Sequence, residues 1–433
     1  MDNSRNIRIF VSHHKAGRVF ESSIVRPIQV GASCNSLDLG FLRDDSGDNI
    51  SYKNDRYCEL TAQYWAWKNV EADYYGFMHY RRHFVFNSIP ETPDDGGLLH
   101  FLEMDESYKD KIGLNDVSIE NTIGDADIVL PPVVDLSGWC APSNEIQYGC
   151  LKNLHSRDFN MVCEKVMELY PEYTEAVRIF REGHDVYWYN MFVMKREYFY
   201  QYCEWLFSIL EASEPNVDYD EYDTQEKRTL AFMAERLLTI FIINLQMVKP
   251  DIKIKHIKIT FLHHTDKEPY SVSLKVNPSE KPVEFLDWLH ESLIRSCNEL
   301  RAINRLPATD IKTLNESVRK MEYISQKNLI LYGAGNFGKR ILDTLRFLGI
   351  CSCLEIWDEK KAGQDLDGIR ISSPRFEKDN YENTIPIITI ADKGISDLIK
   401  TKFIAAGGRT VLTKDEFMSM ALNCIWNRLC EEQ

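Results

Sequence analysis

The sequence lacks several features that would fix a class at once. Its 433 residues contain no run near the roughly 18 uncharged apolar residues of a membrane span, so no transmembrane segment is expected. The 11 cysteines are odd in number and include no Cys-x-x-Cys pair. Zinc-ligand spacing is therefore missing, and the scattered thiols read as small buried hydrophobes of a reducing compartment. Cys351 and Cys353 stand two apart, on one face of an expected strand. Positive charge is scarce. Lys and Arg total 51 against 66 Asp and Glu, a net charge of -15. That balance excludes general nucleic-acid binding and charge-driven docking on anionic lipid. The opening MDNSRNIRIFVSHH has no apolar signal-peptide core, so a cytoplasmic protein is expected.

An anionic ligand must then be held by a local cationic site. Tyr74–Phe86, YYGFMHYRRHFVF, offers one. Its aromatic and apolar start suits a buried strand of an α/β sheet. Ligands of open α/β sheets sit beyond the carboxyl ends of strands, where His79, Tyr80, Arg81, Arg82 and His83 fall. Alternation would put His79 and Arg81 on one face, Tyr80 and Arg82 on the other. Guanidinium forks grip phosphate through paired charge-assisted hydrogen bonds, so a diphosphate is the expected ligand. An earlier strand, Ile7–Ser12, ends at His13, His14 and Lys15, a natural nucleotide contact.

Other stretches fill in the order. DDSGDNIS at 44–51 is a polar turn without the spacing or closing Glu of a calcium loop; Asp48 and Asn49 are its ligand candidates. Asn54 is expected to cap a helix over 55–69. On that helix Glu59, Gln63 and Trp67 share a face, unusual company for pure core, while Trp65 and Trp67 read as packing residues. Residues 98–122 read as helix and loop. Residues 135–155, with Gly138, Trp139 and Glu145, form a polar loop of the kind that carries acceptor contacts. His184–Met194 reads as one apolar strand, and its Asn190 needs a partner or a ligand. Gln225, Arg228, Glu235 and Arg236 follow on a helix over 224–245. Glu235 and Arg236 read as a structural ion pair.

Residues 251–326 read as a mostly helical connector. Beyond it, LILYGAGNFGKRILDTLRFLG gives strand, GxGxxG and helix through Gly333, Gly335 and Gly338. Asp358 closes the next strand 20 residues after Gly338. That is the dinucleotide fingerprint of glycines for the phosphates and an acid for the ribose. The unit at 327–433 is nearer one mononucleotide half than a full Rossmann domain.

Seven segments carry a family resemblance: FVSHHK, GDNIS, YCELTAQYWAWKN, YYGFMHYRRHF, YNMFVMKREYF with CEWLF, and AERLL. Spread over residues 7–245, they resemble bacterial capsular and exopolysaccharide glycosyltransferases, many recorded only as a domain of unknown function. The resemblance implies a GT-A-like domain over 1–250. It also implies a UDP-sugar donor, galactofuranose for some relatives, and a glycan or lipid-linked glycan acceptor. Peripheral association with polysaccharide machinery goes with that role. In GT-A enzymes an acidic DXD ends a strand and holds Mn²⁺ or Mg²⁺ against the diphosphate. Here cations stand at that place, so metal-independent transfer is expected, with the departing UDP held by His79 and Arg81 or Arg82. Asp125 and Asp127 are the alternative that would need a metal. Inversion needs a carboxylate base, with Asp185, Glu145, Asp158 and Asp223 as candidates. By analogy with the FNSGVMLINL-type strand of retaining enzymes, Asn190 contacts the sugar, so both stereochemical courses stay open. Two alternatives compete: an NAD(P)-dependent sugar oxidoreductase or epimerase, which the C-terminal unit's missing Tyr-x-x-x-Lys opposes, and a non-catalytic assembly protein. The C-terminal site would take a nucleotide.

Overall fold

The computed structural model describes residues 5–94, 96–136, 142–151, 153–266, 311–350, 354–376, 381–390 and 392–431, with six residues between 291 and 299. Gly138, Trp139, Cys351, Cys353 and half of the expected connector lie outside the described residues. The chain forms two compact units. One comprises 1–134, 158–181 and 185–276, the other 135–157, 182–184 and 277–433.

The first unit is built on seven strands: β1 (Ile7–His13), β2 (Val25–Gln29), β3 (Leu42–Arg43), β4 (Tyr74–His79), β6 (Ile128–Leu130), β7 (Phe192–Lys195) and β8 (Ile254–His256). Their order across the sheet is β8-β6-β7-β4-β1-β2-β3. All pairings are parallel except those of β7 with β4 and β6. A second, two-stranded parallel sheet pairs β5 (Leu98–Glu103) with β9 (Ile259–His264). Residues 254–256 and 259–264, in a stretch (249–282) whose sequence reads as short alternating β or irregular chain inside the connector, are strands that pair within this unit. Residues 98–103, read as helix or loop, are strand as well.

β4 lies between two neighbours, and five of its six residues are buried. Tyr75 stacks on Phe199 at 4.4 Å, and Phe77 meets Phe192 at 5.3 Å. Gly76 is required at the crossing: a Cβ there would sit 2.8 Å from Ile9 Cγ1 and 3.0 Å from Val193 Cγ2. Three helices matter for the site: α1 (Leu60–Asn69), α2 (Arg196–Ser213) and α3 (Thr229–Val248). Helix 226–248 is long and apolar enough to cross a membrane by length and composition, which the sequence reading had not expected, and 67% of its apolar window is buried. α1 starts later than expected. The chain makes a short helix, Asn54–Tyr57, breaks at Cys58 and resumes at Leu60. Asn54 does not cap a helix N-terminus. Its amide donates to Cys58 O at 2.7 Å and so holds the break. Likewise the expected strand 184–194 is two short strands, Asp185–Val186 and β7, with a turn between them.

The second unit holds a six-stranded sheet. Its strands are β10 (Asn328–Tyr332), β11 (Leu354–Trp357), β12 (Asp365–Leu366), β13 (Ile369–Ser372), β14 (Thr384–Ile388) and β15 (Leu412–Thr413), in the order β12-β13-β11-β10-β14-β15. Apart from the β12–β13 hairpin, the pairing is parallel. Strand order reverses at β10, the switch point of a doubly wound fold. Helix Asn336–Phe347 begins directly after the glycine loop. The chain is α/β throughout, with parallel sheets of the nucleotide-sugar transferase kind.

Candidate functional site

β1 and β4 are parallel, with Ser12 opposite His79, so both release their chains at one sheet edge. β4 stops at His79, earlier than the sequence suggests. A tight turn follows, in which His79 N–H donates to Arg82 O at 3.1 Å and Arg82 N–H to His79 O at 3.0 Å. Strand alternation therefore does not extend to 81 and 82, and His79 pairs with Arg82 across the turn. Arg82 lies 4.4 Å from the Tyr189 ring and 5.3 Å from Phe261. Arg81 lies 5.4 Å from Tyr80 and 5.9 Å from Phe261. Phe261 comes from β9, where nothing local in the sequence marks it. Among the described residues neither arginine has an acidic partner within salt-bridge distance. The Nε of each is buried without a hydrogen-bond acceptor.

His14 packs edge-on to Tyr80 at 4.9 Å. Burial, with Lys15, Arg228 and Arg81 nearby, holds its pKa below the usual histidine range. Burial also lowers His13 to about 4, with His14 adding to the effect, and His83 to about 3, with His13 and His79 adding. His79 is lowered by burial too, against an upward pull from Glu59. Around neutral pH these imidazoles are uncharged, so the positive charge at this edge comes from Arg81, Arg82 and Arg228, while Lys15 pairs with Asp266 at 2.9 Å. Among them Arg228 donates to Cys58 Sγ and to Gln225 Oε1, both at 3.0 Å. Neutral His79 hydrogen-bonds the Tyr189 carbonyl, which makes it a brace for the 189–190 turn.

That turn is unusual. Four non-glycine residues among those described have positive φ, and three are Cys58 (48°), Tyr189 (79°) and Asn190 (50°). Left-handed backbone at such residues stores strain and clusters at functional sites. Asn190 Nδ2 donates to Glu59 Oε1 at 2.7 Å, joining the two strained segments. Gln63 Nε2 reaches Asn190 O at 3.3 Å, and Tyr189 N–H donates to Glu235 Oε1 at 3.1 Å. Asn190 Oδ1 and Gln63 Oε1 are buried acceptors without donors. Burial, with Glu59 nearby, raises the Glu235 pKa although Arg236 and Arg82 oppose the shift. The expected ion pair between Glu235 and Arg236 is present at 2.8 Å.

The other expected residues separate. Asp48 accepts from Tyr64 Oη at 3.3 Å and from Asn69 through its backbone carbonyl, while Asn49 bonds Gly47 and Ser51. Both tie down their own loop, and buried Asp44 anchors it by accepting from Gly31, Ala32 and Ser51. Asp158 is buried and accepts from the hydroxyls of Tyr222 and Thr229. Asp185 is exposed at the start of its two-residue strand. Asp223 accepts from the backbone of Gln225 and Glu226. Glu145 is buried in helix Asn144–Cys150 of the second unit. Asp158 thus holds Thr229, next in sequence to Arg228, and Asp223 holds the backbone of Gln225, whose side chain accepts from Arg228. Asp125 pairs with Lys253 and Asp127 with Lys195, each at 2.5 Å. They lie at the amino end of β6, where Ala126 O accepts from Tyr74, the first residue of β4. That is the opposite edge of the sheet from Arg82, so this donor set does not fit a metal clamp there.

In the second unit the fingerprint residues do meet. Gly333 has φ 111°, and a Cβ on Gly338 would lie 2.2 Å from Gly333 O, whereas one on Gly335 would meet nothing within 4 Å. Asp358 accepts from Ala334 N–H at 2.9 Å and from the amides of Lys360 and Lys361. Its carboxylate braces the glycine loop.

Comparison with known proteins agrees with this architecture. Across 94% of the chain the structure is similar, at 27% identity and a TM-score of 0.59, to the apo structure of the WbbM bifunctional glycosyltransferase. The chain spans 59% of that protein's length. No curated protein matches it. A family model, described as Domain of unknown function (DUF4422), matches residues 8–246, more than half of the chain. This chain belongs to that family.

Proposed function

We propose that the first unit is a glycosyltransferase that moves a sugar from a nucleoside-diphosphate sugar to a glycan acceptor. UDP-galactofuranose is the donor that the resemblance implies. The carrying observation is the pair Arg81 and Arg82: half-buried, without acidic partners, at the carboxyl edge of a parallel sheet in a chain of net charge -15. Unpaired buried guanidinium is costly unless a ligand supplies the anion. A departing diphosphate does so, and the similarity to WbbM supports that ligand class. Arg81 and Arg82 take the developing charge, and Arg228 adds to the field from its anchor on Cys58 and Gln225. His79 and His14 shape the site as neutral rings. The expected result on incubating the chain with UDP-sugars and a glycan acceptor is UDP release coupled to glycan extension. Bound UDP located away from Arg81 and Arg82 would remove the basis of this reading.

A further inference from the structure

We propose that Glu59 is the carboxylate that takes the proton from the acceptor hydroxyl. This rests on the transferase reading above and names the base that the sequence alone could not. The position is built for a charged group with a fixed direction. Glu59 follows Cys58, whose backbone is left-handed at φ 48° and ψ -127°. Glu59 itself is right-handed helical, at φ -65° and ψ -15°, and leads straight into α1. Opposite stands Asn190, also left-handed, whose Nδ2 donates to Glu59 Oε1 at 2.7 Å. Two strained segments, far apart in sequence, thus meet in one hydrogen bond. Among the described residues Glu59 Oε2 has no hydrogen-bond partner, whereas both oxygens of Glu235 are engaged, one by Tyr189 N–H and one by Arg236. Beside Glu59 the unpartnered Gln63 Oε1 and Asn190 Oδ1 are acceptors suited to sugar hydroxyls.

The chemistry balances without a further reactant. The acceptor oxygen bonds to the anomeric carbon as the bond from that carbon to the diphosphate oxygen breaks. The hydroxyl proton passes to Glu59, and the leaving electron pair stays on the diphosphate beside Arg81 and Arg82. The groups facing Glu59 are His79 from the β4 turn, Cys58 from the preceding helix, Tyr202 from α2, Arg228 before α3 and Glu235 on α3.

The test compares wild type, Glu59→Gln and Glu59→Asp. Gln still accepts from Asn190, so the fold is kept and only proton acceptance is lost. The Gln variant is expected to lose about 10²–10⁴-fold in kcat while its Kd for UDP is unchanged. The Asp variant recovers part of the loss. The acid limb of the wild-type pH profile disappears in the Gln variant. If Glu59→Gln keeps turnover within fivefold of wild type and retains the acid limb, Glu59 is not the base. A wild-type profile with no acid limb overturns the assignment independently of any variant. A wild-type chain that binds UDP but transfers no sugar refutes the function reading itself, a result distinct from an active enzyme indifferent to position 59.

Discussion

At the scale of single residues, charge state separates ligand contacts from scaffold. Arg82 keeps its charge at all working pH values, and its face rests on Tyr189 while its Nε lacks an acceptor. Arg82→Ala is expected to weaken UDP binding and lower kcat/KM by about 10²-fold, the scale of losing one preorganised transition-state donor. Arg82→Lys, which loses the planar fork, should recover only a minor part. Calorimetric UDP titration with steady-state kinetics checks both. The histidines behave differently. Burial holds His13 at about 4 and His83 at about 3 in the fold, against 6.5 for an unperturbed imidazole. Between pH 6.5 and about 4 the unfolded chain binds protons that the native chain refuses, so stability falls as pH falls. Each site contributes a slope of about 1.4 kcal/mol per pH unit in that window. Urea unfolding at pH 7, 6 and 5 should show the decline, and His83→Gln should remove one residue's share of it. An unchanged slope in the variant would mean that His83 already titrates normally in the fold.

At the scale of elements, legibility divided along the kind of interaction. β1, β4, α3 and the strand–glycine–helix start of the second unit were readable, because apolar runs and glycine spacing are local signals. The same local signals misplaced what tertiary contacts decide. Asn54 reads as an N-cap, yet its amide serves the carbonyl of Cys58. HDVYWYNMFVM reads as one strand, but the Tyr189–Asn190 turn is stabilised by Glu235, Glu59 and His79 from elsewhere in the chain. The unusual face of Glu59, Gln63 and Trp67 was visible in the sequence. Its meaning depended on the break at Cys58, which no propensity predicts. The glycine fingerprint allows a direct test within one motif. Gly338→Ala drives a Cβ into backbone at Gly333 and should destabilise the second unit by about 1–3 kcal/mol or more. Gly335→Ala meets open space at an ordinary φ and should stay within about 0.5 kcal/mol. Thermal melting of both variants distinguishes a glycine needed for packing from one that leaves room for a ligand.

At the scale of the whole molecule, the sheet separates arginine from the acidic triplet. Parallel strands send their carboxyl ends to one edge, and there the chain places arginine. The acidic triplet Asp125-Ala126-Asp127 sits at the other edge. Its two carboxylates already neutralise Lys253 and Lys195, and these partners hold both acids below the usual range. A divalent ion recruited there would have to displace two lysines, and it would lie at the wrong end of β4 for Arg82. On the transferase reading proposed above, guanidinium at the carboxyl edge takes the place that a metal holds in related folds. Transfer is therefore expected to persist in EDTA at no less than half its rate in Mn²⁺ or Mg²⁺, and Asp127→Asn should leave the donor Kd unchanged. In a molecule of net charge -15 the attraction is local to this edge, so UDP affinity should fall as salt screens it, over a Debye length of about 10 Å at 0.1 M. Abolition of transfer by EDTA, restored by added Mn²⁺, would place the donor's diphosphate on carboxylates and remove the arginine pair from its central role.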